Sequence, residues 1–215
     1  MDEADVKALL GVPRETIDRI EAFIAFLRRE NEVQNLVSRG TIDAVWSRHI
    51  LDSAQLIRLS PSPSATWLDL GTGAGFPGLV VGLLHTGPVT LVEERKKRAR
   101  FLVDAAQILG VSDRVSIHCT RAERFESQPF EVISARAFAP LERLFELSHS
   151  FSTAKTRWIL PKGRNAASEL EAVQASWHGE FRLEESLTDA DARIIVAEGV
   201  GPKAPRQAGK GKRAR

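Results

Sequence analysis

The chain has 215 residues, 43% of them hydrophobic and 27% charged, which is ordinary globular composition and long enough to bury one core of moderate size. Its apolar runs all fall short of the roughly 18 residues that span a bilayer, and the acidic start Met1-Asp2-Glu3-Ala4-Asp5 lacks the basic-then-apolar pattern of a secretory signal. One cysteine, Cys119, and five scattered histidines exclude a disulfide framework and a cysteine-based zinc site; the expectation is a metal-free cytoplasmic protein with no membrane partner.

The net charge of +2 conceals an asymmetry. Pro202 to Arg215 carries Lys203, Arg206, Lys210, Lys212, Arg213 and Arg215 with no acid, so the rest of the chain is net negative. Such a stretch buries no apolar surface, and residues 202–215 are expected to be a disordered tail. It either solubilises the chain or touches nucleic-acid phosphates.

Residues 14–30 are predicted as a helix, with Ile17, Ile20, Phe23 or Ile24, and Leu27 at helical spacing. A second helix is predicted over 41–59, with Val45, His49, Asp52 and Leu56 on one stripe, Thr41 as cap and Asp43 in the first turn. The breaker Ser60-Pro61-Ser62-Pro63-Ser64 then separates a helical extension (1–60) from the main domain (61–201). Within that domain, strands are predicted at 66–70, 88–92, 115–118, 131–134 and 158–160. Helices are predicted at 78–84, 96–109, 140–151 and 165–177. Two closing strands follow at 181–186 and 193–196. This alternation predicts an α/β fold with a parallel-rich sheet and helices on both faces.

The first strand runs into Gly71-Thr72-Gly73-Ala74-Gly75. Glycines here permit positive φ and let a ligand approach the backbone, which marks Gly71 and Gly73 as cofactor contacts. Glu93 closes the next strand roughly 20 residues on, where this type of fold places a carboxylate on ribose hydroxyls. Asp69, just before the glycines, suits a ligand that carries an ammonium. A dinucleotide would want the Gly-x-Gly-x-x-Gly spacing for its pyrophosphate, whereas the glycines here are Gly71, Gly73, Gly75 and Gly78. These features favour S-adenosylmethionine, with a dehydrogenase or a purely structural turn as the lesser readings.

Four stretches carry a more specific likeness. They are Asn35-Leu36-Val37-Ser38 with Arg48-His49-Ile50-Leu51-Asp52-Ser53; Asp69 to Gly78; Arg98-Ala99-Arg100-Phe101-Leu102; and Ser134-Ala135-Arg136-Ala137-Phe138-Ala139 with Leu160-Pro161-Lys162-Gly163. Together they resemble the bacterial ribosomal RNA small-subunit methyltransferase G family, also called the glucose-inhibited division protein B family. The resemblance implies a class I, Rossmann-like S-adenosylmethionine-dependent methyltransferase fold behind an N-terminal helical extension. It implies methyl transfer to N7 of guanine 527 in 16S ribosomal RNA, with that RNA or the small ribosomal subunit as partner and a monomeric enzyme. Gly71 and Phe76 fall at the family's cofactor-loop positions, Phe76 where leucine is frequent. Ala122 and Glu123 fall on its adenine side, and Arg136 in its motif after the fourth strand. The basic tail has no counterpart in that pattern.

The chemistry agrees. Methylating a pyrimidine C5 needs a cysteine nucleophile; Cys119 lies away from the fourth strand and is read as a small core residue. Enzymes that act on exocyclic amines commonly carry a Pro-Pro-aromatic loop after that strand, where this chain has Ser134-Ala135-Arg136. Guanine N7 has a free lone pair and loses no proton, so it needs neither device. Candidate RNA contacts are Arg136 (toward the cofactor or the guanine O6 edge), Lys162 (toward a phosphate) and His49. His49 and Asp52 share a helix face and either cap the cofactor mouth or fasten the extension. The run Arg95-Lys96-Lys97-Arg98 with Arg100 is either a solvated face or an RNA-facing patch, and the four tryptophans are read as packing residues. Two other functions remain open: a methyltransferase for another RNA or a small molecule, and a non-catalytic RNA-binding protein that keeps the fold.

Overall fold

A computed structural model describes residues 1–204; residues 205–215, most of the expected tail, lie outside the described residues. Pro202 ends a strand, and the Lys203 N–H donates to the Ser176 carbonyl at 2.8 Å, so these two residues of the expected tail pack on the domain.

The N-terminus opens with a helix the periodicity did not announce, α1 (Glu3–Leu10). Asp2 and Asp5 form a reciprocal capping box, and Gly11 ends the helix at φ 60°. The box uses aspartate at its third position rather than glutamate, and only Val6 is buried, so the apolar signal is thin. Helix α2 (Arg14–Gln34) outlasts its apolar stripe and stops at Asn35, φ 49°.

The single helix expected over 41–59 is broken into pieces. These are α3 (Arg39–Ile42), a π-helical turn (Trp46–Leu51), α4 (Asp52–Ala54) and a 3₁₀ turn (Gln55–Leu59). Thr41 sits inside α3, its hydroxyl bonded to the Ser38 carbonyl, and caps nothing. The π turn buries Trp46, His49, Ile50 and Leu51 together, which a regular 3.6-residue stripe would not do.

Five parallel strands follow: β1 (Trp67–Leu70), β2 (Val89–Val92), β3 (Val115–His118), β4 (Val132–Ser134) and β5 (Arg157–Lys162). Helices α5 (Gly78–Leu84), α6 (Lys96–Leu109) and α7 (Leu141–Ser148) connect them, and α8 (Ala166–Val173) follows β5. The antiparallel pair β6 (Trp177–Glu185) and β7 (Arg193–Pro202) completes a seven-stranded sheet of order β3-β2-β1-β4-β5-β7-β6. The two closing strands are longer than expected. Most of β6 faces solvent, so its polar residues hide the alternation.

Side chains along β1 are buried on both faces of the sheet. Trp67 joins the core cluster under α2, α5 and α6, and Leu68 and Leu70 join the cluster under α7 and α8. The extension is therefore part of one sheet face: Phe26 stacks on Phe101 of α6 at 5.1 Å, and the Arg157 guanidinium bonds both the Leu59 carbonyl and Glu198. All four tryptophans are buried. Cys119 is exposed, contrary to its reading as a core residue; it follows β3, an edge strand that is itself half in solvent.

Candidate functional site

Connections leave β1 toward β2 on one side, and β4 and β5 lie on the other, so a crevice opens at the carboxyl ends of β1 and β4. A buried hydrogen-bond chain shapes it. Trp67 Nε1 donates to Ser134 Oγ (2.8 Å), Ser134 Oγ donates to Asp69 Oδ1 (2.7 Å), and the Gly78 N–H donates to Asp69 Oδ2 (3.0 Å). The chain joins β1, β4 and the start of α5. Helix α5 can come this close only because residue 78 is glycine: a Cβ there would lie 2.1 Å from Leu91 Cδ2. Asp69 is fully buried, and that burial pushes its pKa up to about 6 against the lowering effect of the Ser134 and Gly78 bonds. Its two oxygens accept from Ser134 on β4 and from Gly78 at the start of α5, so the carboxyl ties the strand ends to the helix behind the glycine loop.

Above the loop is a cavity of 340 Å³ whose lining includes Gly71, Glu93, Ala122, Glu123, Arg98 and Phe138. Glu93 is buried and accepts from the Gly73 N–H (3.1 Å) and the Arg95 N–H (2.8 Å). A carboxylate has about four acceptor positions, so capacity remains for hydroxyl donors. Gly71 has φ 65°, and a Cβ there would lie 2.1 Å from Phe138 Cδ2. Gly73 holds Glu93 through its backbone but is not in the lining. Glu123 pairs with Arg143 at 3.0 Å.

A second cavity of 670 Å³ lies beside the first and contains Arg136. The Arg136 Nη1 donates to Asp52 Oδ2 (3.1 Å) and to the Arg48 carbonyl (3.2 Å), and Nη2 lies 2.9 Å from His49 Nδ1. A guanidinium only donates, so His49 Nδ1 accepts and Nε2 carries the proton. His49 is neutral: burial first, then Arg136 and Arg48, hold its pKa down to about 3. Its ring stacks on Phe76 at 4.8 Å, and the Arg136 guanidinium lies over the same phenyl ring at 5.4 Å. Phe76 is thereby buried in the core and lines neither cavity. Lys162 Nζ bonds Glu169 (2.8 Å) and the Ala139 carbonyl (3.3 Å), which holds the loop after β4.

The structure thus gathers Gly71, Glu93, Ala122 and Glu123 around one cavity and Arg136, His49 and Lys162 around its neighbour. Sequence reasoning missed the β6–β7 connection. Thr188 Oγ1 donates to Asp52 Oδ1 (2.8 Å), and Asp189 pairs with Arg48 (2.9 Å), whose hydrogen bond lowers the Asp189 pKa. Thr188-Asp189-Ala190-Asp191 reads as an ordinary polar turn, and no local pattern says that it reaches across to Asp52. Among the described residues no group of acids, histidines and cysteines could hold a metal ion, and no helix is long and apolar enough to cross a membrane.

The sequence profile of the family described as rRNA small subunit methyltransferase G matches residues 16–193. A protein of Rhizorhabdus wittichii named Ribosomal RNA small subunit methyltransferase G is 49% identical over 98% of this chain and 99% of its own length. One of the same name from Zymomonas mobilis is 46% identical over 90% of each. The chain belongs to this family. Members are methyltransferases that use S-adenosylmethionine, and so is this protein. Solved structures share the fold at low identity. A putative O-methyltransferase from Klebsiella pneumoniae has a TM-score of 0.59 at 15% identity, over 84% of this chain and 90% of its own. An O-methyltransferase from Bacillus cereus in complex with SAH has 0.56 at 16%, over 82% and 90%. The architecture is therefore the Rossmann-like methyltransferase fold expected from the loop and the strand–helix alternation.

Proposed function

We propose that this methyltransferase G family member transfers a methyl group from S-adenosylmethionine to N7 of guanine 527 in 16S ribosomal RNA, as a cytoplasmic monomer. The observation that carries this is 49% identity, over nearly the whole length of both chains, to a protein named for small-subunit ribosomal RNA methylation. In this reading residues 1–60 are an extension that walls the acceptor cavity, and 61–201 are the catalytic domain.

The residues of the smaller cavity fit the cofactor. Gly71 is a cradle that a Cβ would fill, and Glu93 is a buried carboxylate with free acceptor capacity. Glu93 would hold the ribose hydroxyls, Ala122 and Glu123 the adenine side, and the Gly71 backbone the remainder. Gly73 serves by fixing Glu93, and Phe76 by supporting His49 and Arg136 from below. When bound, the cofactor supplies a methyl group made electrophilic by its positive sulfur.

Arg136 has five N–H donors, and its three hydrogen bonds to Asp52, His49 and the Arg48 carbonyl leave two. These serve the guanine O6 or the cofactor carboxylate. They must not engage N7, whose lone pair forms the new bond. That nitrogen loses no proton, so the site needs no general base, and the neutral His49 positions Arg136 instead. The protein's contribution is orientation, which accounts for a large part of the barrier in reactions of this kind. Lys162 supports the loop that carries Phe138 and stands near the RNA path.

Incubation with methyl-labelled cofactor and hypomethylated 16S ribosomal RNA or small subunits, followed by nucleoside analysis, tests the reading. Label in 7-methylguanosine is expected. Label in any other nucleoside would refute the substrate.

A further inference from the structure

We propose that Phe138 is the platform on which the acceptor guanine stacks, and that the plane it imposes presents an in-plane lone pair, as N7 carries, rather than a π face to the methyl group. The proposal rests on the guanine-N7 reading above. Among the described residues, Ala137 and Phe138 are the two that line both cavities, and Phe138 supplies the only phenyl or indole ring in either lining. The ring is half-buried and sits against the Gly71 α-carbon, so the glycine loop fixes one part of it while the rest borders open space.

The short loop that presents the ring is anchored at both ends. Arg136 is clamped to the extension by three hydrogen bonds. Ala137 turns the chain at φ 51°, a left-handed conformation uncommon for alanine. The Ala139 carbonyl accepts from Lys162 Nζ, and Pro140 leads into α7. The ring at the tip is therefore held in a defined orientation between the cofactor and acceptor cavities.

The chemistry gives that orientation a purpose. The N7 lone pair lies in the plane of the base and points outward from its edge. In-line displacement needs donor and acceptor on one line, so the base plane must contain the sulfur–methyl–N7 axis. The lone pair forms the N–C bond, the C–S bond breaks with its electrons going to sulfur, and the base takes the positive charge. A base stacked on the acceptor-cavity side of Phe138 lies parallel to a ring that both cavities share. Attack by a ring carbon through its π face would need the base turned out of that plane, and the stack opposes it.

The test compares Phe138→Tyr, Phe138→Leu and Phe138→Ala on hypomethylated small subunits and on naked 16S ribosomal RNA. The tyrosine variant is expected to keep kcat/KM within about threefold. Leucine and alanine are expected to lose about 10- to 100-fold, the worth of one base–aromatic stack. Phe138 also lines the cofactor cavity, so cofactor Kd is measured by calorimetry for all three, and the loss in kcat/KM is expected to exceed any loss of cofactor affinity by about tenfold or more in the leucine and alanine variants. Should the alanine variant fail to fold, the leucine–tyrosine contrast still decides. Equal rates for leucine and tyrosine would overturn the proposal, as would losses explained wholly by weaker cofactor binding. These outcomes are distinct from failure of the wild-type protein to form 7-methylguanosine, which would overturn the underlying reading.

Discussion

Replacing Asp69 by asparagine should change how stability depends on pH. The Asp69 carboxyl is fully buried, and its pKa rises from the usual 3.8 to about 6 in the folded protein. The folded state therefore binds a proton that the unfolded chain has already released between about pH 4 and pH 6. Its contribution to stability is fully present below 3.8 and is lost as pH rises through 6. Each pH unit in that window removes about 1.4 kcal/mol, so roughly 3 kcal/mol disappears by pH 7. Asparagine keeps the size of the side chain but does not titrate. Its amide cannot accept from both Ser134 and Gly78 as the carboxyl does, so it starts with a pH-independent loss of about 1–2 kcal/mol. Urea unfolding of both proteins at pH 4, 5, 6 and 7 isolates the effect, because every other titrating group cancels in the difference. The variant is expected to be the less stable protein at pH 4, and to gain about 3 kcal/mol on the wild type by pH 7. A difference that stays flat within about 0.5 kcal/mol would refute a buried, titrating Asp69.

Gly71→Val places a branched side chain at φ 65°, where a Cβ already meets the Phe138 ring at 2.1 Å. Calorimetry is expected to show cofactor affinity reduced at least about 100-fold, with the backbone strain costing about 1–2 kcal/mol of folding stability; unchanged affinity would remove Gly71 from the cofactor site. Arg136→Ala strips the partly buried Asp52 of its cation and His49 Nδ1 of its donor. A stability loss of about 2–3 kcal/mol is expected in urea, together with a fall in kcat/KM under conditions where the variant is fully folded. Wild-type rates would take Arg136 out of the site.

Much of the architecture was legible because β1 to β5 and α5 to α7 are short, strongly patterned elements, most of them separated by glycine or proline. Trp67 to Leu70 is buried at every position and reads as a core strand, and Gly71 and Glu93, singled out from their places in the chain, line one cavity. The extension was less legible. A 3.6-residue stripe through Val45, His49, Asp52 and Leu56 misses the π turn that buries four of the six residues from Trp46 to Leu51. Helix α1 was invisible because it buries only Val6. Within the site, long-range partnerships were the hidden part. Arg136 was readable as a site residue, but its clamp comes from residues some 85 positions upstream, and Asp52 is also held by Thr188 from the β6–β7 turn. Asp69 stood out beside the glycine loop, but its hydrogen bonds to Ser134 and Gly78, which tie β1 to β4 and α5, had no local signal. Phe138 was present in a recognised stretch, but only the packing of its ring on Gly71 shows that it borders both cavities.

Mapping the methylated nucleotide tests the central claim most directly. Small subunits or 16S ribosomal RNA lacking the modification are incubated with the protein and labelled S-adenosylmethionine, and the product is located by fragment mass spectrometry. One methyl group on N7 of guanine 527 is the predicted result. A methyl group at another nucleotide, or no transfer by a protein that binds the cofactor, would contradict it.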